Sequence, residues 1–266
     1  MKRVALTIGS LLALTMAVGA ATSDSRVPAA SPAADLWRKA VAVFAESVHL
    51  SPGRVRISFS LLDGKGQPKR SYEREMRYAP DGQGKVRAEL VWARENGRDV
   101  TATARVELRE REKEDAAGRP KGQRAAFSLR DVPFDPDKQA QVEVVPRPET
   151  TVLFGAACRR FDFSMSLPAA AGDGQKGEPV ILRGMAWIAE SSGAPLKFEF
   201  APDPLPSKVK SLWTVFTYGP GPKGEWLLKE IASEGVGGIL FIKKRFRSRI
   251  ELDDYFPAPK DDQPGK

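Results

Sequence analysis

Residues 54–61 read RVRISFSL, a stretch in which polar and apolar side chains alternate without a break. Successive side chains of a β-strand point to opposite faces, so the apolar ones share one face: Val55, Ile57, Phe59 and Leu61. The stretch therefore predicts a strand with one buried face. The same period of two runs through segments 70–78, 85–93, 98–108, 157–167, 180–189, 195–201, 209–218, 225–234 and 239–254.

Short, turn-forming connections separate several of these segments. Asn96-Gly97 is a strong hairpin signal, and residues 63–67 (DGKGQ), 218–226 (YGPGPKGEW) and 234–238 (EGVGG) are rich in glycine and proline. Consecutive strands joined by such turns pair in antiparallel fashion. The sequence therefore predicts one large antiparallel sheet.

A helix is predicted before the first strand, over residues 32–48. Ser31 is a suitable N-cap, Pro32 suits the first helical position, and Asp35 lies in the first turn. The helix has an amphipathic pattern, because these side chains share one face: Leu36, Ala40, Val43, Phe44 and Ser47. The following Ser51-Pro52-Gly53 ends the helical pattern.

The middle of the chain departs from the strand pattern. Residues 109–125 are dense in charge with no apolar face, which predicts a solvated excursion between strands. Residues 126–150 are interrupted by prolines, with a short helix predicted around 135–140. The predicted fold class is α+β: a large curved antiparallel sheet with an N-terminal helix and a mid-chain helical or irregular lid.

The N-terminus has the features of a secretory signal peptide. Residues 1–20 begin with Lys2 and Arg3, continue as an uncharged apolar run and end in a small-residue site after Ala20. Residues 21–31 are expected to form a flexible leader, 32–256 a single domain and 257–266 a disordered tail. Export to the periplasm disfavours a nucleic-acid partner and leaves anionic lipid or an acidic protein as uses of the positive charge.

Residues with catalytic or metal-binding potential are sparse. The chain has one histidine, His49, and one cysteine, Cys158, so neither a disulfide framework nor a paired Cys/His metal site is predicted. No nucleophile elbow or phosphate-binding glycine loop occurs. We expect a protein that is not an enzyme and has no cofactor, although a carboxylate pair assembled from distant strands stays open.

Large side chains are abundant on the predicted apolar strand faces. A wide sheet must cover such a face with its own chain, a second chain or an apolar ligand. The alternatives are an ordinary closed core and a ligand cavity. The candidate lipid-binding residues are Trp92, Phe163, Met165, Trp187, Phe198, Phe200, Trp213 and Phe246.

Residues 241–250, FIKKRFRSRI, resemble a nuclear-localisation or nucleic-acid patch only as a string. On a strand, Phe246 points to the core and the cations Lys243, Arg245, Arg247 and Arg249 point to solvent. Two interpretations are possible: a solvated row partnered by neighbouring acids, or a stripe that contacts an anionic surface.

Residues 183–206, RGMAWIAESSGAPLKFEFAPDPLP, resemble a hairpin of the LolA-like superfamily of periplasmic outer-membrane lipoprotein carriers. Gly184, Trp187, Gly193 and Pro195 stand at the matching places, and residues 218–226 resemble the next hairpin of that superfamily. The resemblance spans roughly 32–256. It implies an unclosed half-barrel lidded by helices, whose concave apolar surface receives acyl chains and whose lid includes helix 32–48.

The first functional hypothesis is an exported binding protein that holds a lipid or lipoprotein acyl chain in an apolar half-barrel cavity, without chemistry, in envelope lipid or lipoprotein trafficking. Its basic face would orient it toward an anionic membrane surface. The alternative is a periplasmic regulatory module that binds an envelope protein without lipid. A third hypothesis is an enzyme on the same scaffold, acting on a lipid or glycan.

Overall fold

One antiparallel sheet of eleven strands dominates the computed structural model, which describes residues 31–81, 86–116, 132–167, 180–205, 209–239 and 242–258. Its strands are β2 (Arg54–Leu62), β3 (Pro68–Pro80), β4 (Val86–Glu95), β5 (Arg98–Asp99), β6 (Val142–Leu153), β7 (Ala156–Leu167), β8 (Val180–Ala189), β9 (Pro195–Asp203), β10 (Val209–Pro220), β11 (Trp226–Ile239) and β12 (Ile242–Asp253). Their spatial order is β5-β4-β3-β2-β12-β11-β10-β9-β8-β7-β6.

The sheet is not closed into a barrel, because β5 and β6 are its two edges and do not pair with each other. Two short strands, β1 (Leu50–Ser51) and β13 (Phe256–Pro257), pair separately. The predicted α+β fold with a large unclosed antiparallel sheet is confirmed. Pro257 and Ala258, assigned to the tail from sequence, are held in this small pairing, since the Ala258 amide donates to the His49 carbonyl.

The predicted N-terminal helix is confirmed as α1 (Pro32–Ser47). The Ser31 side chain accepts a hydrogen bond from the Ala34 amide at 3.1 Å and so satisfies one of the free donors of the first turn. The apolar side of α1 packs on one face of the sheet, which we call the inner face. Burial of Trp37 and Phe44 there contributes about 2–3 kcal/mol each.

The core lies between the inner face and α1, with residues 132–134 also packed into it. The Trp37 ring lies 4.9 Å from the Phe134 ring and 5.5 Å from the Phe161 ring, centroid to centroid. Its indole N–H donates to Gln139 Oε1 at 3.0 Å. Gln139 belongs to a 3-10 helix, Pro136–Gln141, which confirms the short helix predicted around 135–140.

The prediction for residues 98–108 was wrong: only Arg98–Asp99 is a strand, and α2 (Thr101–Ala116) comes next. The apolar residues alternate, but Val100, Ala104 and Leu108 also recur every four residues, and these three pack against the core. Asp99 helps to start the helix by accepting from the Thr101 amide at 2.8 Å. The charged run predicted as a solvated excursion is therefore helical over 109–116.

Strand β6 was not predicted, because prolines at 146 and 148 suggested an irregular segment. Both prolines are tolerated because β6 is an edge strand, whose outward amides have no partner strand to serve. The predicted signal peptide, the leader up to residue 30, residues 117–125 of the excursion and the tail from 259 lie outside the described residues. Among the helices that the structure describes, none is long and apolar enough to span a bilayer.

Candidate functional site

Five of the eight candidate lipid-binding residues lie on the inner face, as predicted. Phe163, Met165, Phe198 and Phe200 are buried in the main core, and Phe246 is buried farther along, stacked on Phe59 with ring centroids 6.1 Å apart. Phe198 illustrates the packing: it is fully buried, and its ring lies 4.4 Å from that of Phe216. These side chains contact their own chain, so the closed-core alternative holds for this described part of the sheet.

The three candidate tryptophans lie on the opposite, outer face, which corrects the prediction for them. A bulge at Val91 sets Trp92 opposite Glu75 while Leu90 and Ala93 point into the core. The Arg94 guanidinium lies 5.3 Å from the centre of the Trp92 ring. An extra residue in a strand reverses the face of every residue after it, and a strict alternation cannot foresee this change.

Trp187 lies on the outer face because the inner residues of β8 are the even-numbered ones. It pairs with Lys197, whose ammonium nitrogen lies 4.6 Å from the centre of the Trp187 ring. The odd-numbered and the even-numbered residues of β8 both include large apolar side chains. The sequence pattern alone therefore did not decide which of the two sets faces the core. Trp187 packs with a small outer-face cluster that contains Cys158 and Leu196.

Trp213 is on the outer face of β10 and is 37% exposed. It lies in a groove of about 950 Å³ that crosses the outer face near one end of the sheet. The groove takes its lining from β2, β8, β9, β10, β11 and β12. The apolar residues that border it are Leu62, Ala201, Pro202, Leu205, Trp213 and Val236, with Leu212 and Phe246 from the opposite strand phase; the charged ones are Arg183, Asp203, Lys210, Glu234, Arg245 and Arg247.

Strand register explains why these residues meet. Arg247, Glu234 and Trp213 are direct neighbours across β12, β11 and β10. The next pair on the same face of these strands, two residues farther along each, is Arg245 with Val236. Neighbouring strands lie about 4.8 Å apart, so side chains far apart in sequence line one continuous surface. Of the predicted residues, the fold thus brings the side chains of Trp213, Arg245 and Arg247 together at the groove, whereas Phe246 borders it from the opposite phase of β12.

Most charges of the groove are paired with each other. Arg183 Nε lies 3.1 Å from Asp203 Oδ2, and Arg247 Nε lies 2.5 Å from Glu234 Oε1. Lys210 and Arg245 are exposed and have no carboxylate oxygen within 4.0 Å among the residues described. The groove therefore carries a surplus of two positive charges.

The basic row of β12 therefore contains both cations with carboxylate partners and a cation without one among the described residues. Arg249 bonds Glu230 at 2.6 Å, which raises the pKa of its guanidinium, and Arg247 is held by Glu234. These two contacts agree with a solvated row partnered by neighbouring acids, whereas Arg245 stays open. The Lys243 side chain lies outside the part of the chain whose side chains are described.

Sequence reasoning missed Lys210, which occupies a bulge in β10. Val209 pairs with Gly237 and Ser211 with Val236, so Lys210 is an extra residue in the strand. Bulges re-aim side chains and are common beside functional sites. No sequence signal marks the bulge, because residues 207–211 (SKVKS) contain no glycine or proline.

Residues for metal or covalent chemistry do not converge in the described ranges. No group of three or more His, Cys, Asp or Glu side chains there could hold a metal ion. Burial raises the pKa of the Cys158 thiol, which donates a hydrogen bond to the Thr151 carbonyl at 3.2 Å. Cys158 is therefore held as a thiol, the less nucleophilic form.

A second exposed apolar surface lies along the edge strand β6. Val145, Val152 and the hairpin residue Phe154 are 55%, 67% and 70% exposed. A sheet edge with free backbone groups can pair with an added strand. Pro146 and Pro148 remove two donors from this edge, so only its two ends can form a ladder.

No protein-family model matches this chain, and a search of curated proteins found no match. Among solved structures, a DUF1329 family protein from Desulfovibrio piger is similar at 10% identity and a TM-score of 0.36, over 87% of this chain and 95% of that one. A Pseudomonas aeruginosa MucA/MucB complex is similar at 9% identity and a TM-score of 0.23, over 84% and 99%.

Proposed function

We propose that this protein is a non-catalytic, exported binding protein that holds the acyl chain of a lipid or lipoprotein in the outer-face groove. The observation that carries the proposal is the groove itself, whose lining combines apolar side chains such as Trp213, Leu62 and Val236 with charged ones. Its volume of about 950 Å³ lies in the range of pockets for small molecules. The site therefore differs from the inner-face cavity expected from sequence.

Affinity would come from burial of methylene groups. Each buried methylene contributes about 0.8 kcal/mol, so ten of them supply about 8 kcal/mol before the cost of immobilising the chain. Trp213, Leu62 and Val236 offer the apolar surface for this contact. The charged side chains of the groove would contact a polar head group while the apolar ones cover the chain.

The compartment is part of the proposal. Residues 1–20 have the composition of a signal peptide, which supports export to the periplasm and a place in envelope lipid or lipoprotein trafficking. A carrier in that compartment must exclude water from the acyl chain of its cargo, because exposure of an apolar chain to water is unfavourable.

The test uses the chain from Ala21 onward, purified from the periplasm without detergent. Native mass spectrometry with solvent extraction should find an acyl-chain species, and added palmitic acid should bind with one-to-one stoichiometry. Trp213→Gln should weaken palmitic acid binding about tenfold, which is a loss of about 1.4 kcal/mol. Trp92→Gln is the matched control, because Trp92 lies on the same face outside the groove.

Equal binding by both variants and the unmodified chain would remove the groove assignment. A clean mass that persists after incubation with palmitic acid and phospholipid would overturn acyl-chain binding altogether. That result would favour the alternative, a regulatory module with a protein partner, for which the exposed ends of β6 are the available surface.

A further inference from the structure

The charge balance of the groove identifies a more specific ligand class. Its lining has four cationic side chains and two carboxylates: Arg183, Lys210, Arg245 and Arg247 against Asp203 and Glu234. Two cations are neutralised inside the site by Asp203 and Glu234. Lys210 and Arg245 are left over, and they flank the same apolar strip.

Lys210 and Arg245 are close enough to act on one group. They lie on β10 and β12, which are separated only by β11, so their backbones are about 10 Å apart. Val236 of β11 stands between them, paired with Arg245 on one side and with Ser211 on the other. Two long, flexible side chains can converge above Val236 on a single anion.

We propose that Lys210 and Arg245 bind the acidic head group of the ligand, a carboxylate or a phosphate monoester, while its acyl chain lies over Trp213. This inference rests on the proposed acyl-chain function and adds a preference for anionic over uncharged amphiphiles. Arg245 offers parallel N–H donors to the two oxygens of such a group, and Lys210 adds a point charge.

The other arginines of the basic row, Arg247 and Arg249, are less suited to bind the head group. Arg247 and Arg249 would have to leave Glu234 and Glu230 before they could bind another anion. Arg245 has no such competitor among the described residues, and the β10 bulge places Lys210 in the same groove. The selectivity of the groove is therefore assigned to these two side chains.

The experiment compares ligands that share one chain and differ in head group. Palmitic acid and palmitoyl lysophosphatidic acid are anionic, whereas monopalmitoylglycerol is uncharged. Each is titrated below its micelle concentration into the chain from Ala21 onward, into Lys210→Gln/Arg245→Gln and into Arg249→Gln. Arg249→Gln removes a cation from the same strand and face but outside the groove, which makes it the matched control.

We expect the double variant to lose about tenfold in affinity for both anionic ligands, since it removes two exposed ion pairs, each of which contributes modestly. Its affinity for monopalmitoylglycerol should not change, and Arg249→Gln should behave as the unmodified chain. The anionic preference should also weaken as salt is raised.

The outcomes separate the two proposals. If no ligand binds the unmodified chain, the acyl-chain function fails and this inference falls with it. If all three ligands bind the unmodified chain, acyl-chain binding stands. The head-group assignment is then wrong if the double variant loses affinity equally for all three ligands, or loses affinity for none of them. If the double variant binds palmitic acid normally but loses binding to vesicles containing phosphatidylglycerol, the two cations serve a membrane surface instead.

Discussion

The hydroxyl of Tyr218 is a polar group placed in the core without a partner. Tyr218 is 4% exposed, lies against Phe44 and Phe198, and its oxygen has no hydrogen-bond partner among the residues described. Nearby Tyr255 differs, because its hydroxyl donates to the Leu228 carbonyl. Burying a hydroxyl without a hydrogen bond costs free energy that folding must offset elsewhere.

Tyr218→Phe should therefore stabilise the protein. Removal of the unpaired oxygen without change of shape is expected to raise the free energy of unfolding by about 1 kcal/mol. Tyr255→Phe, which removes the hydrogen bond from the Tyr255 hydroxyl to the Leu228 carbonyl, should lower it by a similar amount. Urea unfolding followed by tryptophan fluorescence measures both, and a destabilised Tyr218→Phe would show that the hydroxyl is bonded in solution.

Individual residues also show where sequence reasoning reached its limit. Phe198 and Phe246 were placed on the correct face, because β9 from Lys197 onward and β12 around Phe246 keep the period of two. Trp92 was not, because the bulge at Val91 shifts the phase within its own strand. Lys210 and Arg245 differ from the other cations of the groove only in the structure, because Asp203 and Glu234 lie beside Arg183 and Arg247 instead.

At the scale of elements, the pairing of β8 with β9 depends on close backbone approach at Gly184. A Cβ atom built there would lie 1.9 Å from the Glu199 carbonyl oxygen and 2.9 Å from the Phe200 Cα. Both obstacles are backbone atoms, so neither can move without displacing a strand. This explains in physical terms why glycine suits the position that the sequence resemblance singled out.

Gly184→Ala should accordingly loosen the β8–β9 pair. The clash is expected to cost about 1–3 kcal/mol or more of the free energy of unfolding, the range for overpacked sites. Gly64→Ala is the control, because no atom lies within 4 Å of its added Cβ, and it should change stability by less than about 0.5 kcal/mol. Equal midpoints of urea unfolding for the two variants would contradict the close approach seen at Gly184.

Elements near the middle of the chain show how tertiary contacts override a local pattern. Residues 100–108 fit both a strand and a helix, since apolar side chains occur at every second position and therefore also at every fourth. Arg105 fixes the helical choice, because its guanidinium bonds the carbonyls of Leu90 and Val91 at the bulge of β4. The helix and the bulge thus depend on each other, and neither was visible from its own segment.

At the scale of the whole molecule, buried phenols make stability depend on alkaline pH. Burial raises the pKa of Tyr218 and Tyr255 above the usual range, while the unfolded chain releases these protons near pH 10. Above that pH the unfolded state binds fewer protons than the folded state, so the free energy of unfolding falls as pH rises.

The melting temperature should thus be insensitive to these phenols at neutral pH and decline above about pH 10. The expected slope is about 1.4 kcal/mol per pH unit for each phenol that stays protonated in the fold. In Tyr218→Phe the decline should be shallower by one such contribution. A variant that loses stability with the same slope as the unmodified chain would exclude Tyr218 as a contributor.

The sequence by itself determined the local preferences of the chain: alternation predicted most strands, and Ser31-Pro32 with a four-residue apolar period predicted α1. Such preferences act between neighbours in sequence, so they can be read from short windows. Only the tertiary structure decided the face of Trp92, Trp187 and Trp213, the filling of the inner face and the position of the groove. Bulges, strand register and acid–base pairing join residues far apart in the chain, and one extra residue in a strand exchanges its buried and exposed faces.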